Sequence, residues 1–138
     1  MFECGGNQMS TRYQECVDEC LACMKACNFC FNACLIDDHM EPFAHCIHLT
    51  KDCADICSFV AKALSSQTNF KNQLCQVCAE ICRVCSVECM KHAHAYQHSL
   101  RCALACESCA IACDKVLEVY WFVSDEFLNK RAIRDKKL

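Results

Sequence analysis

The chain has 138 residues, a formal net charge of −3 and nineteen cysteines, but only two glycines and one proline. So few turn residues argue against a β architecture, and the charge gives no reason to expect a nucleic-acid partner. No run of about 18 apolar residues is present, so we expect no membrane partner either. A chain of this length fits one domain, and we expect an all-α fold.

The periodicity of apolar residues predicts four helices. Helix one is expected over residues 11–37, with Thr11 and Gln14 forming a capping box at its start. Helix two is expected over residues 42–65, because Pro42 suits a first helical turn. A polar stretch over residues 65–69 then breaks the helical pattern.

The second half of the chain contains the other two helices. Thr68 or Asn69 is expected to cap helix three, which continues to about His92. Helix four is expected to begin within residues 95–99 and to run at least to Val119. Four helices joined by short connections favour an up-down-up-down four-helix bundle.

These elements divide the chain into three parts. Residues 1–10 are expected to form an N-terminal tail, which contains Cys4. Residues 11–119 are expected to form the four-helix bundle. Residues 120–138 are expected to form a C-terminal extension that continues helix four.

Eighteen of the nineteen cysteines recur along the predicted helices, mostly in alternating steps of three and four residues. Such steps place side chains on one face of a helix, and in a bundle that face points into the core. On helix two, Leu49, Val60 and Leu64 continue the cysteine stripe. The predicted core cysteines are Cys16, Cys20, Cys23, Cys27, Cys30, Cys34, Cys46, Cys53, Cys57, Cys75, Cys78, Cys82, Cys85, Cys89, Cys102, Cys106, Cys109 and Cys113.

A core of eighteen thiols requires an explanation, because so many small side chains fill a bundle poorly. The N-terminus has no basic segment followed by an apolar stretch, so we expect a location in the cytosol, where thiols stay reduced. Helix neighbours three or four residues apart have Cβ atoms about 5–6 Å apart. A disulfide needs roughly 3.5–4.5 Å. We therefore expect metal ions between the thiols.

The cysteine pattern favours Cu(I) over other thiolate-binding metals. Zinc with four thiolates leaves two uncompensated negative charges in each site, and the CxxC pairs here overlap in ladders instead of standing as isolated knuckles. The ferredoxin pattern CxxCxxCxxxCP is absent, which argues against an iron–sulfur cluster. Cu(I) is soft, selects thiolates and tolerates low coordination numbers. All eighteen core cysteines are therefore predicted Cu(I) ligands.

The expected number of ions follows from how the sulfur atoms are shared. Unshared thiol pairs would hold roughly nine ions, and full bridging would hold roughly eighteen. One Cu(I) on one thiolate is neutral, so a low buried charge favours the upper figure. Burial and mutual repulsion keep the empty thiols protonated, so we expect loading to release about one proton per ion and to stabilise the fold.

Histidine and methionine cluster at one predicted end of the bundle, because the first and third connections lie at the same end. Each histidine taken alone is also compatible with a polar surface residue. Together they can bind copper transiently and pass it to Cys34, Cys46, Cys89 and Cys102 just inside. The residues predicted for copper uptake and release are His39, His45, His48, His92, His94, His98, Met40 and Met90.

Three segments resemble the bacterial copper storage proteins, and most closely their cytosolic branch. They are CVDECLACMKAC at residues 16–27, CADIC at residues 53–57 and ECMKHAH at residues 88–94. The resemblance covers about residues 13–116. It implies a four-helix bundle, a homotetramer, Cu(I) held along the core by the eighteen cysteines, and histidines at an open end.

Apolar residues outside the cysteine stripe need partners of their own, and subunit contact is their expected use. These residues include Phe29, Phe31, Phe43, Ile56, Phe59, Ile81, Val84 and Trp121.

The predicted function is copper storage and detoxification without catalysis. The alternative is a thiol-dependent redox protein or an iron–sulfur electron-transfer protein that uses the CxxC pairs. A redox CxxC lies at an exposed helix start beside a βαβ unit, whereas every pair here lies within a helix and faces inward. A delivery protein for one or two ions does not need eighteen inward thiols.

Overall fold

The structure is a computed structural model that describes the backbone of residues 10–37 and 41–136, with side chains described as far as Leu117. Its elements are α1 (Thr11–Leu35), a 3-10 turn (Glu41–Phe43), α2 (Ala44–Ser65), α3 (Lys71–Met90) and α4 (Gln97–Lys136). The described residues contain no β-strand. The predicted all-α fold with four helices is confirmed.

The four helices form a closed ring in which each packs against two others. α1 and α3 both contact α2 and α4. α1 and α4 run antiparallel, because Cys16 near the start of α1 meets Cys113, whereas Cys27 further along α1 meets the earlier Cys102. The predicted up-down-up-down four-helix bundle is confirmed.

The helix starts differ in detail from the prediction. Ser10, not Thr11, caps α1, and its hydroxyl accepts a hydrogen bond from the Tyr13 backbone N–H at 3.4 Å. Pro42 lies in the 3-10 turn, and α2 begins only at Ala44. The cap is the residue with extended backbone dihedrals, and the spacing of apolar residues does not specify those dihedrals.

The turn between α2 and α3 ends α2 with a Schellman motif. Gln67 adopts a left-handed φ of 58°, and its backbone N–H donates to the Leu64 carbonyl at 3.0 Å. The Thr68 N–H donates to the Ala63 carbonyl at 3.0 Å, so two carbonyls at the helix end are satisfied. Thr68 does not cap α3 as predicted, because its hydroxyl accepts from the Phe70 N–H inside this turn.

The two ends of the bundle differ in chemistry. One end contains the start of α1 and the turn between α2 and α3, and we call it the apolar end. The buried side chains that close it are Val17, Val60, Leu64, Val116 and Leu117. At the opposite end α1 and α3 finish and α2 and α4 begin, and we call it the histidine end.

The longest helix is α4, with 40 residues. At 1.5 Å per residue it is about 60 Å long. Cys4 lies outside the described residues, as does the side chain of Trp121. The division of the chain at residues 10 and 119 stays a prediction. Within the described residues, no helix carries an apolar stretch long enough to cross a membrane.

Candidate metal centre

The eighteen cysteines of the four helices lie together in the interior of the bundle. Each has 0% exposure, and each is a free thiol. Their helical spacing turns all of them toward the same interior, because steps of three and four residues keep side chains on one helix face. The structure therefore brings every predicted core cysteine into one continuous group, which we call the thiol core.

Helix α2 departs from the predicted stripe at one position. Thr50 is fully buried, whereas Leu49 is only partly buried, so the prediction that Leu49 continues the stripe is wrong. Thr50 lies four residues after Cys46 and three before Cys53, which is the spacing of the cysteine ladder. Its hydroxyl donates to the backbone carbonyl of Cys46 at 2.8 Å and to that of Ile47 at 3.1 Å.

The thiols meet across neighbouring helices in a regular antiparallel register. The paired Sγ atoms lie 3.6–3.8 Å apart. Further contacts between free thiols, such as the one between Cys23 and Cys53 at 3.7 Å, join the two rows of pairs. The pairs are Cys16–Cys113, Cys20–Cys109, Cys23–Cys106 and Cys27–Cys102 between α1 and α4, and Cys46–Cys89, Cys53–Cys82 and Cys57–Cys78 between α2 and α3.

These separations suit sulfur atoms that share a metal ion. A metal–thiolate bond of about 2.3 Å puts two sulfurs on one ion about 4.0 Å apart in a trigonal site and about 4.6 Å apart in a linear site. The observed contacts of 3.6 to 4.0 Å need only a small outward movement to admit an ion. The thiol core therefore fits the low coordination numbers that Cu(I) accepts.

Groups of four thiols lie close enough to act as joint ligands, with their sulfur atoms within 4.8 Å of one another. Neighbouring groups share cysteines, so the sulfurs can bridge from one ion to the next. The core therefore suits a continuous series of ions better than separate sites. The groups include Cys20, Cys78, Cys109 and Cys113; Cys23, Cys53, Cys57 and Cys82; Cys23, Cys27, Cys53 and Cys106; Cys27, Cys85, Cys102 and Cys106; and Cys57, Cys78, Cys82 and Cys109.

Contacts among the thiols shift their pKa values in opposite directions. Hydrogen bonding with Cys102 and other thiols, together with burial, raises the pKa of Cys106. Hydrogen bonding with Cys109 and other thiols, together with burial, raises the pKa of Cys113. Hydrogen bonding with Cys106 lowers the pKa of Cys23. A single thiolate is stabilised by S–H donors around it, but its charge opposes a second ionisation nearby. The thiols with a raised pKa, such as Cys106 and Cys113, therefore keep their protons at neutral pH.

The thiol core contains no positive side chain that could neutralise several thiolates. Among the described residues, the buried polar and charged side chains are Thr50, Glu88 and Ser99. A divalent ion with four thiolates would leave net negative charge in this interior, which is costly. Cu(I) replaces the proton of a thiol charge for charge, so it fits the electrostatics of this core.

At the histidine end, two histidines pack around the buried ring of Phe43. The Phe43 ring centroid lies 4.8 Å from that of His92, 4.9 Å from Tyr96 and 6.4 Å from His98. We call these four residues the aromatic cluster. The expectation that Phe43 lies at a subunit contact is wrong, because Phe43 is buried within its own chain. His98 Nδ1 lies 3.3 Å from Cys30 Sγ, so the cluster touches the thiol core.

The other residues predicted for copper uptake do not join the aromatic cluster. Those described by the structure are exposed and belong to the same end of the bundle. The exposed ones are His45, His48, His94 and Met90, and His39 and Met40 lie outside the described residues.

An acidic side chain, Glu88, is buried beside the histidines, with 8% exposure. Its carboxylate accepts from His92 Nε2 at 3.4 Å and from Lys91 Nζ at 3.1 Å. Burial raises the pKa of Glu88, but the contacts with Lys91 and His92 outweigh burial and hold the pKa below its ordinary value. Glu88 is therefore charged at neutral pH and places a fixed negative charge at the histidine end.

Three residues of this centre were not identified from the sequence. Thr50 has the spacing of the cysteine ladder, so its burial could have been predicted from that spacing. Glu88 lies four residues before His92, the separation at which side chains meet on a helix. Nothing in the sequence pattern distinguishes Phe43 from the phenylalanines that the structure leaves exposed.

Comparison with known proteins supports the same chemistry. A sequence model described as copper storage protein matches residues 9–118. The cysteine-rich protein YhjQ of Bacillus subtilis is 43% identical over 103 residues, which are 74% of this chain and 94% of that protein. The match over residues 9–118 includes α1, α2 and α3 and the part of α4 that carries its cysteines.

Two solved structures share the fold. The Cu(I)-bound copper storage protein BsCsp3 of Bacillus has a TM-score of 0.72 and 39% identity, covering 76% of this chain and 97% of that one. A cytosolic copper storage protein from Streptomyces lividans, carrying five coppers, has a TM-score of 0.75 and 38% identity, covering 78% of this chain and 92% of that one. With its thiol core and a family match over residues 9–118, the chain belongs to the copper storage protein family.

Proposed function

We propose that this chain stores and detoxifies copper by holding many Cu(I) ions on the thiolates of its eighteen core cysteines. The observation that carries the proposal is the series of eighteen buried thiols, among which many neighbouring Sγ atoms lie 3.6–4.0 Å apart and overlapping groups of four lie within 4.8 Å. A single metal site uses about four such ligands. Eighteen converging thiols fit a store of many ions.

The capacity follows from sulfur sharing and charge. Overlapping groups of four thiols let each sulfur bridge two ions, which moves the capacity from roughly nine toward roughly eighteen ions. A core with about one Cu(I) per thiolate carries almost no net buried charge. We therefore expect the filled protein to approach one ion per core thiol.

Metal counting tests this function directly. Reduced, metal-free protein is titrated with Cu(I) under nitrogen against a chelator of known affinity, and the copper per chain is counted by mass spectrometry. We expect roughly nine to eighteen ions. A matched variant with Cys53, Cys57, Cys82 and Cys106 replaced by serine should lose about four ions. A capacity of one or two ions in the unchanged chain would contradict storage.

The same measurement separates storage from the electron-transfer alternative. Protein purified from copper-fed cells should contain copper, whereas an iron–sulfur protein would contain iron and show a visible chromophore. The inward orientation of every described CxxC pair argues against exchange with a protein partner, because a redox thiol must be reached. We therefore assign the chain no catalytic role.

Copper uptake and release are assigned to the histidine end. His98 contacts Cys30 at 3.3 Å, and His92 and His98 both pack against the ring of Phe43. At the apolar end, buried Leu64 and Val116 offer no metal ligand. Soft metal ions move most easily between neighbouring donor atoms, so a path through histidine to thiol is favoured over a path through the apolar end.

Self-association is proposed because large apolar side chains remain exposed on the outside of the bundle, and the resemblance to the copper storage proteins implies a homotetramer. Phe29, Phe59, Val84, Val87 and Ile36 are each more than half exposed in the single chain. Exposed apolar patches of this kind are typical of subunit contacts. Light scattering should give four chains per particle, and a monomer at micromolar concentration would remove this part of the proposal.

A cytosolic location is proposed from the state of the thiols and from one relative. The core needs eighteen reduced thiols, which the cytosol maintains. The related Streptomyces lividans protein is a cytosolic copper storage protein. Cell fractionation tests this location, and recovery of the protein with the secreted fraction would contradict it.

A further inference from the structure

The carboxylate of Glu88 is buried at the histidine end of the bundle and contacts a histidine. Glu88 lies on α3, next to Cys89 in sequence, and with Thr50 and Ser99 it makes up the buried polar and charged residues of the described chain. A buried carboxylate is costly unless it is paired. Its partners are His92, which is itself mostly buried, and the exposed Lys91.

The contact with Glu88 selects one tautomer of His92. A carboxylate only accepts hydrogen bonds, so His92 Nε2 must carry the hydrogen in the 3.4 Å contact with Glu88. In the neutral ring, Nδ1 is then the nitrogen with the free lone pair. Histidines that bind metals commonly donate their other ring N–H to a carboxylate in this way.

The ring of His92 is also held by a contact with another ring. Its centroid lies 4.8 Å from that of Phe43, and Phe43 in turn packs edge-on against Tyr96 at 4.9 Å. The hydrogen bond and the ring contact together restrict the rotation of the imidazole. The next histidine, His98, contacts the same phenylalanine and touches Cys30 of the thiol core.

We propose that Glu88 is a positioning residue for copper transfer, which holds His92 in the tautomer and orientation that present Nδ1 to an incoming Cu(I) ion. This inference rests on the proposed function, because it assumes that copper enters at the histidine end. Glu88 does not bind the ion itself and acts through His92. Glu88 keeps His92 Nδ1 in the orientation that binds the ion, so transfer to His98 and Cys30 does not require rotation of the imidazole ring.

The primary test replaces Glu88 by glutamine, which keeps the size of the side chain but can either accept from or donate to His92 Nε2. Loading is followed by the ultraviolet absorbance of Cu(I)–thiolate bonds after rapid mixing with Cu(I) bicinchoninate. We expect the loading rate of Glu88→Gln to fall about tenfold, the size of effect seen when a partner of a metal-binding histidine is lost. The final copper count should not change, because no thiol is removed.

Lys91→Ala is the matched control. It removes the other ion-pair partner of Glu88, which is exposed, and leaves the contact with His92 intact. We expect its loading rate to equal that of the unchanged protein. If Lys91→Ala and Glu88→Gln both load copper slowly, the charge balance at this end controls the loading rate. That result would contradict the positioning role of Glu88.

A double-mutant cycle separates positioning from a structural role. If Glu88 acts through His92, then Glu88→Gln should slow loading in the unchanged protein and have no further effect in a His92→Ala background. Nitrogen NMR of the metal-free protein supplies a second readout, with His92 protonated at Nε2 and the signal shifting toward a mixture of tautomers in Glu88→Gln. Equal slowing in both backgrounds, or no tautomer shift, would overturn the inference.

Failure of this inference is distinguishable from failure of the proposed function. If the unchanged protein binds many Cu(I) ions and Glu88→Gln loads at the same rate, storage stands and the positioning role is wrong. If the unchanged protein binds one or two ions, storage itself is wrong, whatever the Glu88 variant does.

Discussion

The two ends of the bundle are made by the same helices and yet differ in chemistry. The apolar end is closed by Leu64, Val60 and Val116, all buried and all without a donor atom. The histidine end is closed by an aromatic cluster in which His98 touches a core thiol and His92 is tied to a carboxylate. Both ends exclude water from the thiols, but among the side chains that the structure describes the aliphatic residues of the apolar end offer no metal ligand and the histidines of the other end do.

This difference teaches that sealing a metal store and giving access to it are separate structural tasks. Aliphatic side chains seal by close packing, so their loss should appear in the free energy of unfolding. On the proposed path the histidines next to thiols give access to copper, so their loss should appear in the rate of copper loading. The thiol core between the two ends sets the capacity. Substitutions at the three places should therefore change three different measurements.

The largest effect is expected from Leu64→Ala at the apolar end. Leu64 is almost fully buried, and removing its side chain should destabilise the metal-free protein by about 2–5 kcal/mol. Copper capacity and loading rate should stay unchanged, because no ligand is lost. Urea unfolding measures the loss of stability, copper titration measures the capacity, and rapid mixing measures the loading rate.

The matched control for this variant is Lys62→Ala, an exposed position on the same helix, which should change stability by less than about 0.5 kcal/mol. A loss of copper capacity in Leu64→Ala would break the comparison, because the apolar end would then take part in binding.

The second effect is expected from replacing His92, His94 and His98 together by alanine. Loading should slow by at least about tenfold, because the ion loses the nitrogen donors that precede Cys30. The copper count at equilibrium should remain nearly unchanged. Rapid mixing with a Cu(I) chelate measures the rate, and Leu64→Ala serves as the variant with normal kinetics. Unaltered kinetics in the triple variant would show that copper enters elsewhere.

The third prediction concerns protons and pH. The pKa values of thiols such as Cys106 and Cys113 are raised, so these groups are protonated in the empty protein at neutral pH. Each Cu(I) should displace about one proton, and copper affinity should weaken as pH falls. A pH-indicator titration in weak buffer counts the protons, and copper uptake without proton release would contradict the charge-neutral core.

The same raised pKa values predict how the empty protein responds to alkali. A thiol whose pKa is higher in the folded than in the unfolded state stabilises the fold below its unfolded pKa of about 8.5, and this contribution is lost as pH rises toward the folded pKa. Thermal unfolding of metal-free protein should therefore show falling stability above about pH 8.5.

The smallest effect is expected at Thr50, the one ladder position of α2 between two cysteines that has no thiol. The antiparallel register that pairs Cys46 with Cys89 and Cys53 with Cys82 places Thr50 level with Cys85. Thr50→Cys should therefore add about one Cu(I) to the capacity. Thr50→Val, which has the same shape without a sulfur, should bind as many ions as the unchanged chain. Equal counts for both variants would show that the core accepts no further thiolate there.

The fold and the thiol core could be predicted from the sequence because they depend on one periodic signal. Cysteines in steps of three and four residues leave a single inward face for each helix, and four such faces make one core. The sequence prediction places Leu49 in the buried stripe, whereas the structure places Thr50 there. The spacing of Thr50 fits the ladder, but hydroxyl side chains are less often buried than apolar ones, so composition favours Leu49.

The arrangement of the histidine end could not be predicted in the same way. Its geometry depends on where a 3-10 turn places Phe43 and on which of several histidines turn inward, and neither property repeats along the sequence. The start of α1 at Ser10 illustrates the same limit, since a cap is decided by local backbone dihedrals. Periodic patterns predict cores well, and they say little about single contacts at helix ends.

In the proposed store each ion takes the place of a proton deep inside the bundle, so the outside of the molecule would not register how full it is. At one Cu(I) per core thiol, a full chain would keep the formal net charge of −3 of the empty chain, and isoelectric focusing should not separate them. A cellular component that touches only the outer faces would have no means of sensing the load. Any reading of the copper content would have to take place at the histidine end, where the proposed path of the ion begins.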